Sequence, residues 1–237
     1  MALSNTPSPK KQRRVAFVWP RVIIGCVFAA AFIVLALNVA QGAEWILPFD
    51  RSIQAAIFPL RNPDLTPLLE FITNLSGTKA SLVVAFIFAV FLFFLRSKKK
   101  ALVFILTVGV GEAIVLATKY LVDRGRPYGL NLIDFPNDAS FPSGHTFAAI
   151  AIVAFIIFIL LREFRVSMPL VIKALLVVVA VLWPLVIGFS RLYLGVHWPT
   201  DVFGSLILGG LVYFPFATLV WDALIPAQRK AGRHARQ

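Results

Sequence analysis

Six long apolar runs set the strongest limit on how this 237-residue chain can fold. A helix needs about 20 residues to cross the hydrocarbon core of a bilayer, with a range of roughly 17–25. Three of the runs meet that length, and three reach it with flanking residues. Backbone that crosses lipid must satisfy its own hydrogen bonds, so each run is expected to be helical. The runs are Val22–Ala40, Ala80–Leu95, Ala101–Ala117, Thr146–Leu161, Leu170–Phe189 and Val202–Val220.

The composition supports an integral membrane protein. Hydrophobic residues make up 59% of the chain and charged residues 14%, and the mean hydropathy is +0.84. These values are typical of a membrane protein rather than a soluble domain. The sequence therefore predicts an all-α, polytopic protein whose six-span domain covers residues 22–222, between basic cytoplasmic tails at 1–21 and 223–237. The lone cysteine, Cys26, allows no internal disulfide.

The net charge of +12 is explained by membrane topology. With both termini in the cytoplasm, sixteen of the 23 Lys and Arg residues fall on the cytoplasmic side, which is the positive-inside bias. Nucleic acid is not needed to explain the charge, and contact with anionic lipid is expected. Between the first two spans, residues 41–79 mix aromatic, charged and proline residues, which predicts short helices in the outer interface.

Against this bias, four of the seven Lys and Arg residues on the predicted outer side gather in two loops, and three polar motifs lie on that side. "KYLVDRGRP" follows the third span, "FPSGH" precedes the fourth, and "SRLYLGVHWPTD" lies between the last two. Lys119 and Arg126 are seven residues apart, about two helical turns, and project from one face if the helix continues. With Arg191 they are expected to converge without matching carboxylates, which favours binding of a dianion such as phosphate.

The "FPSGH" motif adds backbone and hydroxyl groups to this set. A helix that begins here directs free N–H groups toward an anion, and Gly144 lets the backbone approach it closely. Ser143 has two interpretations that the sequence leaves open: its hydroxyl caps the helix, or it donates to a phosphate oxygen.

Two of the three histidines lie at the outer mouths of spans, and His234 lies in the basic tail. A single histidine near a helix end is usually an ordinary interfacial residue. However, Asp201 follows His197 by four residues, within reach of its imidazole, and can hold the tautomer that leaves the other nitrogen free to attack. His145 is a candidate acid for the leaving oxygen. No cysteine or acidic cluster offers a metal site, so neither metal nor cofactor is expected.

Together the three motifs resemble the signatures of the type-2 phosphatidic acid phosphatase family, in the same order and spacing. The motifs span residues 119–201, and the six spans are similar to the integral-membrane branch of the family. The resemblance implies a metal-independent phosphatase with a phosphohistidine intermediate. It implies His197 as nucleophile, Asp201 as its partner and His145 as general acid. The phosphate-binding set that it implies is Lys119, Arg126, Ser143, Gly144 and Arg191.

Three further polar residues receive lesser roles. Ser190 matches the third motif and is expected to support it. Arg124 lies outside the pattern and is expected to be a surface charge. Glu112, seven residues before Lys119, is expected to pair with that lysine or another polar neighbour, because an isolated acid within a span costs about 2.5–3.5 kcal/mol.

Several substrates and two other activities fit the same pattern. Undecaprenyl pyrophosphate, phosphatidylglycerol phosphate, phosphatidate and a lipid A phosphate all combine a phosphate head with a bilayer tail. A lipid phosphotransferase would form its phosphohistidine with the same residues and pass the phosphate to another lipid. Vanadate-dependent haloperoxidases share the pocket, but six spans argue against a soluble enzyme. An anionic-lipid transporter is disfavoured because the charges cluster at one face and no internal repeat is visible. The oligomeric state is left open.

Overall fold

The computed structural model describes residues 9–134, 137–164 and 167–225, which are mostly helical and contain no β-strand. The predicted all-α fold is therefore confirmed. A 3₁₀ turn follows the second helix at Phe58–Leu60, and π-helical turns occupy Ala149–Ala154 and Val212–Ala217. The α-helices are α1 (Pro9–Ala40), α2 (Ile46–Ile57), α3 (Leu65–Asn74), α4 (Thr78–Phe94), α5 (Lys98–Val122), α6 (Gly144–Ala148), α7 (Phe155–Glu163), α8 (Leu170–Tyr193), α9 (Pro199–Leu211) and α10 (Thr218–Leu224).

The predicted tails are only partly covered by these ranges. Because α1 begins at Pro9, residues 9–21 of the tail predicted at residues 1–21 are helical and belong to the same helix as the first span. Residues 1–8 and 226–237 lie outside the described part of the chain, so most of the tail predicted at 223–237 does too.

Five continuous helical stretches in the described ranges are long and apolar enough to cross a membrane, and a bent pair adds a sixth. The pair is α3 and α4, and the chain bends by 43° at the short break between them. Alone, α4 has 17 residues, or about 25 Å at 1.5 Å per residue. That is shorter than a typical hydrocarbon core of about 30 Å, so this span needs its bent partner. The continuous stretches are Val18–Ala40, Lys98–Val122, Gly144–Glu163, Leu170–Tyr193 and Pro199–Leu224.

The charge pattern assigns one end of each span to the outer side of the membrane, and this end is called the outer end. At their outer ends, four spans extend beyond the apolar runs of the sequence. The third span continues past Ala117 to Val122, and the fifth past Phe189 to Tyr193. The fourth and sixth begin at Gly144 and Pro199, before the predicted starts. These extra turns are where the motif residues lie. They carry Lys119, His145, Arg191 and Asp201.

Glycines allow the helices that carry these turns to pack closely. A Cβ at Gly111 of α5 would lie 2.2 Å from Cζ of Phe147 on α6, and a Cβ at Gly188 of α8 would lie 2.7 Å from Cγ1 of Val202 on α9. Small residues at helix contacts let membrane helices approach in this way. The outer ends of α5 and α6, and of α8 and α9, are consequently neighbours.

The helices expected between residues 41 and 79 are present and are tied to the end of α8. Nε of Arg61 donates to the carbonyl of Tyr193 at 2.9 Å, and its Nη2 donates to the carbonyl of Leu130 at 2.8 Å. The backbone N–H of Asn62 donates to the hydroxyl of Tyr193 at 2.5 Å. Since the side chain of Tyr193 is fully buried, these bonds fix the link between α2 and α3 to the outer end of α8.

We expect Gly111→Ala to destabilise the protein and Gly109→Ala to leave it unchanged. The added methyl at 111 overlaps the ring of Phe147, whereas a Cβ at 109 meets nothing within 4 Å. Overpacking of this kind costs about 1–3 kcal/mol. Thermal denaturation of the two purified variants in one detergent measures the difference. Equal midpoints for both would show that the α5–α6 contact adapts to a larger residue.

Candidate active site

The outer ends of α4, α5, α6 and α8, with His197 just before α9, surround a cavity of about 330 Å³. Asp201 and Ser143 lie behind its wall rather than in the lining. The rest of the wall is mostly apolar and runs along α4 and α5 through Leu82, Ala85 and Val108. The cavity therefore has a charged end and a hydrocarbon-lined body. The predicted site residues that line it are Lys119, Arg126, Gly144, His145, Arg191 and His197.

His197 and Asp201 form a buried pair at the start of α9. Nδ1 of His197 lies 3.1 Å from Oδ2 of Asp201, and the two side chains are 2% and 0% exposed. The backbone N–H of Trp198 donates to the same oxygen at 2.9 Å. Pro199 begins the helix, as expected for a proline in the first turn. The local helix start therefore holds the carboxylate against the imidazole.

The partners on its two sides define the tautomer of His197. A carboxylate only accepts hydrogen bonds and a guanidinium only donates them. Asp201 lies at Nδ1, whereas Nη1 of Arg126 lies 3.2 Å from Nε2. Burial lowers the pKa of His197 well below its ordinary value, and the nearby cations Arg126, Arg191 and Lys119 lower it further. The imidazole is thus neutral, with its proton on Nδ1 and a lone pair on Nε2.

Arg191 brings positive charge to the cavity and has few partners of its own. Arg191 is only 3% exposed, its Nη1 lies 3.4 Å from Oγ1 of Thr73, and its Nε has no hydrogen-bond partner among the described residues. A buried donor without a partner costs free energy, so this geometry favours an anion in the cavity. Within the described ranges, no group of three His, Cys, Asp or Glu is placed to hold a metal ion.

The expectation that the predicted phosphate-binding cations have no matching carboxylate is wrong, because Asp138 joins two of them. Its Oδ2 lies 2.9 Å from Nζ of Lys119, and its Oδ1 lies 2.6 Å from Nη2 of Arg126. Partial burial acts to raise the pKa of Asp138, but the hydrogen bonds and charges of these two cations outweigh it, so its pKa is lowered. The side chain is 45% exposed. A carboxylate on an accessible loop therefore occupies donors of two predicted phosphate-binding residues.

His145 faces the cavity without a fixed partner. It is the second residue of α6, and its side chain makes no hydrogen bond with any described residue. Nε2 lies beside the break between α3 and α4, where a Cβ at Gly77 would be 3.4 Å away. An unbonded imidazole in the same cavity as His197 can exchange a proton with a bound ligand.

The structure uses the two motif serines within the protein. Oγ of Ser143 accepts hydrogen bonds from the backbone N–H of Thr146 at 3.5 Å and from its hydroxyl at 3.1 Å, so Ser143 caps α6. The helix cap is therefore present, and because Oγ only accepts in these bonds, donation of its proton to a phosphate oxygen stays a prediction. Oγ of Ser190 donates to the carbonyl of Ile187 at 2.7 Å, and its role is local support of α8.

The expected pairing of Glu112 with Lys119 is wrong. Both residues line the cavity, but Nζ of Lys119 bonds to Asp138 and to the carbonyl of Ala139 instead. The loop before α6 offers these oxygens directly above the lysine, whereas Glu112 lies two turns deeper along α5. The carboxyl of Glu112 has no hydrogen bond or ion pair with any described residue.

The expectation that Arg124 is a surface charge is also wrong. Its side chain is 12% exposed and contacts the carboxylates of Asp201 and Asp50. Asp50 lies on α2, in a segment where no catalytic residue was expected. The sequence carried no local signal for this contact, because Arg124 and Asp50 are 74 positions apart.

Comparison with known proteins identifies the class. The sequence pattern of the PAP2 superfamily matches residues 100–225. The chain is 29% identical over 185 residues to phosphatidylglycerophosphatase B of Bacillus subtilis, covering 77% of this chain and 88% of that protein. It is 31% identical over 170 residues to the undecaprenyl-diphosphatase BcrC of the same organism, covering 67% and 78%.

A solved structure supports the same assignment. The crystal structure of a transmembrane PAP2 type phosphatidylglycerolphosphate phosphatase from Bacillus subtilis superposes with a TM-score of 0.75 and 27% sequence identity, covering 86% of this chain and 98% of that one. The chain belongs to the PAP2 superfamily. It is an integral membrane enzyme, a lipid phosphatase.

We expect Asp138→Asn to tighten the binding of inorganic phosphate by about tenfold, or 1.4 kcal/mol. The substitution removes a negative charge that competes with the anion for Lys119 and Arg126. Inhibition of the enzyme by phosphate or vanadate measures the effect. Asp134→Asn is the matched control, because Asp134 is an exposed acid of the same loop and forms no ion pair with any described residue. Weaker inhibition of the Asp138 variant would mean that this carboxylate organises the cations instead of competing for them.

Proposed function

We propose that this enzyme hydrolyses a phosphate or pyrophosphate ester of a membrane lipid at the outer leaflet, without a metal ion, through a phosphohistidine on His197. The observation that carries the proposal is the environment of this imidazole. Its Nδ1 is held by Asp201, and its Nε2 lies at the charged end of a cavity shared with Lys119, Arg191 and His145.

In the first step, Nε2 of His197 attacks phosphorus while the bond from phosphorus to the lipid oxygen breaks. Lys119, Arg126 and Arg191 bind the phosphoryl oxygens and stabilise the charge that develops on them. The phosphate displaces the Asp138 carboxylate from the two cations that it holds. The substrate's negative charge favours a protonated His145, which donates its proton to the leaving oxygen.

In the second step, water attacks the phosphohistidine. The neutral His145 accepts a proton from this water, a new bond forms from oxygen to phosphorus, and the bond from phosphorus to Nε2 breaks. Inorganic phosphate leaves, and His145 is again protonated. Asp201 stabilises the positive imidazole ring of the intermediate through Nδ1. Gly144 contributes a cavity wall without a side chain, which leaves room for the phosphoryl group.

The body of the cavity supports a lipid substrate. From Lys119 at its charged end, the lining continues along α5 to Val108, a rise of about 16 Å at 1.5 Å per residue. Leu82 and Ala85 of α4 line the same wall, in which Glu112 is the one acid below Lys119 among the described residues. Hydrocarbon near the phosphate therefore meets mostly apolar residues. The names of the Bacillus subtilis relatives favour phosphatidylglycerol phosphate and undecaprenyl pyrophosphate among the candidate substrates.

We expect His197→Ala to reduce phosphate release by at least about a thousandfold, because the residue provides the attacking atom. The measurement is phosphate release by purified protein in EDTA from phosphatidylglycerol phosphate, undecaprenyl pyrophosphate, phosphatidate and a lipid A phosphate. Trapping of a labelled, acid-labile phosphoprotein with wild type tests the intermediate. His234→Ala, in the C-terminal tail, is the control and should retain full activity.

The outcomes of that experiment separate the candidate functions. Turnover that stops in EDTA and returns with a divalent cation would overturn the metal-free mechanism. Phosphate that leaves the substrate and appears on a second lipid, instead of in solution, would identify a phosphotransferase. No turnover of any lipid by wild type and variant alike would contradict the proposed phosphatase activity at this site.

We expect the active site to face outward and both termini to lie in the cytoplasm. In a Cys26→Ser background, Tyr128→Cys should react with a membrane-impermeant maleimide on intact cells, and Lys99→Cys should react only after lysis. Tyr128 is 95% exposed in the loop beside the site, and Lys99 is an exposed residue at the opposite end of α5. The reverse labelling pattern would invert the topology and move the reaction to the inner leaflet.

A further inference from the structure

A chain of buried charges stands behind the catalytic pair. Nη1 of Arg124 donates to Oδ1 of Asp201 at 2.7 Å, and its Nη2 donates to Oδ2 of Asp50 at 2.5 Å. Both carboxylates are fully buried. The two oxygens of Asp201 therefore have separate partners: Oδ1 bonds to Arg124, whereas Oδ2 bonds to His197 and the backbone N–H of Trp198.

Asp50 is held as firmly as Asp201. The backbone N–H of Thr200 donates to Oδ1 of Asp50 at 2.8 Å, and the Thr200 hydroxyl donates to Oδ2 at 2.9 Å. The same hydroxyl accepts from Nη1 of Arg124 at 2.7 Å. The indole of Trp198 lies over the guanidinium, 5.4 Å from ring centroid to Cζ. Arg124, in the loop after α5, thus contacts both α2 and α9, and Thr200 of α9 in turn bonds to Asp50 of α2.

Neither Arg124 nor Asp50 lines the catalytic cavity, although Arg124 lines an adjoining open pocket that shares Lys119 and Arg126 with it. The hydrogen bonds of the Arg124 guanidinium run to Asp201, Asp50 and Thr200. Its contact with Asp201 gives Arg124 a route to His197. The network also contains two carboxylates and one guanidinium, so its surplus negative charge favours the positive imidazole of the intermediate.

We propose that Arg124 and Asp50 are positioning residues that fix the carboxylate of Asp201, and through it the orientation and tautomer of His197. The proposal rests on the proposed function of His197 as nucleophile. Without Arg124, Oδ1 of Asp201 loses its cationic partner inside the protein, and the carboxylate is free to rotate. Without the charge of Asp50, Arg124 loses one of its two carboxylate anchors.

The first test separates kcat from KM in Arg124→Met and Asp50→Asn. Loss of a residue that supports a catalytic group costs about 10–100-fold in activity, and we expect this loss in kcat with KM unchanged within threefold. Arg124→Lys should recover part of the loss. Arg51→Met is the matched control: Arg51 neighbours Asp50 on α2, is exposed and has no described ion pair. A loss confined to KM, or an equal loss in the control, would overturn the proposal.

A double-mutant cycle with Asp201→Asn tests whether Arg124 acts through Asp201. Residues that work as one unit give non-additive effects. We expect Arg124→Met to cost about threefold or less in the Asp201→Asn background. A full, multiplicative loss would show that Arg124 acts by another route. If Arg124→Met fails to fold, Thr200→Val removes the bridging hydroxyl with little change in shape and takes its place in the cycle.

A spectroscopic measurement makes the test independent of the lipid. The chain has three histidines, so nitrogen-15-labelled histidine gives a simple NMR spectrum, in which His197→Ala identifies the catalytic ring. We expect a single Nδ1–H tautomer for His197 in the wild type and a mixture in Arg124→Met. An unchanged tautomer in the variant would overturn the positioning role, whereas wild type that turns over no lipid would overturn only the proposed function.

Discussion

Charge at the edge of a bilayer is stable when it is paired, and the site depends on this constraint. Burying an unpaired charge costs several kcal/mol. Asp201 accordingly lies between His197 and Arg124, and Asp138 lies between Lys119 and Arg126. Each carboxylate joins two cationic or polar partners from different elements. The site is therefore two connected sets of charges: one holds the imidazole, and the other holds the donors that a phosphate would use.

Helix ends provide the frame for these charges. Lipid forces the backbone into helices, and only the ends of these helices leave the hydrocarbon. The glycines at 111 and 188 bring those ends together in pairs. A cavity with a charged end and an apolar body follows from this arrangement. The same geometry suits a lipid phosphate, because the boundary between phosphate and hydrocarbon in such a substrate matches that of the cavity.

Motif residues differ in how well their roles could be predicted. His197 and Asp201 are four positions apart, so a single helix start brings them together, and spacing alone predicted the contact. Glu112 and Lys119 share one face of α5, yet the lysine bonds to a loop that approaches from above. Spacing along one helix defines the face on which a side chain lies, but not the neighbour that reaches it first.

The sequence by itself determined the helical class, the membrane spans and the residues that meet at their outer ends, because apolar length and local spacing act over a few turns. Only the tertiary structure decided the partners of Arg124, Asp50 and Asp138. The contacts of Arg124 with Asp50 and Asp201 join positions 74 and 77 residues apart. Such contacts depend on how three separate elements pack, and no local pattern in the chain encodes that distance.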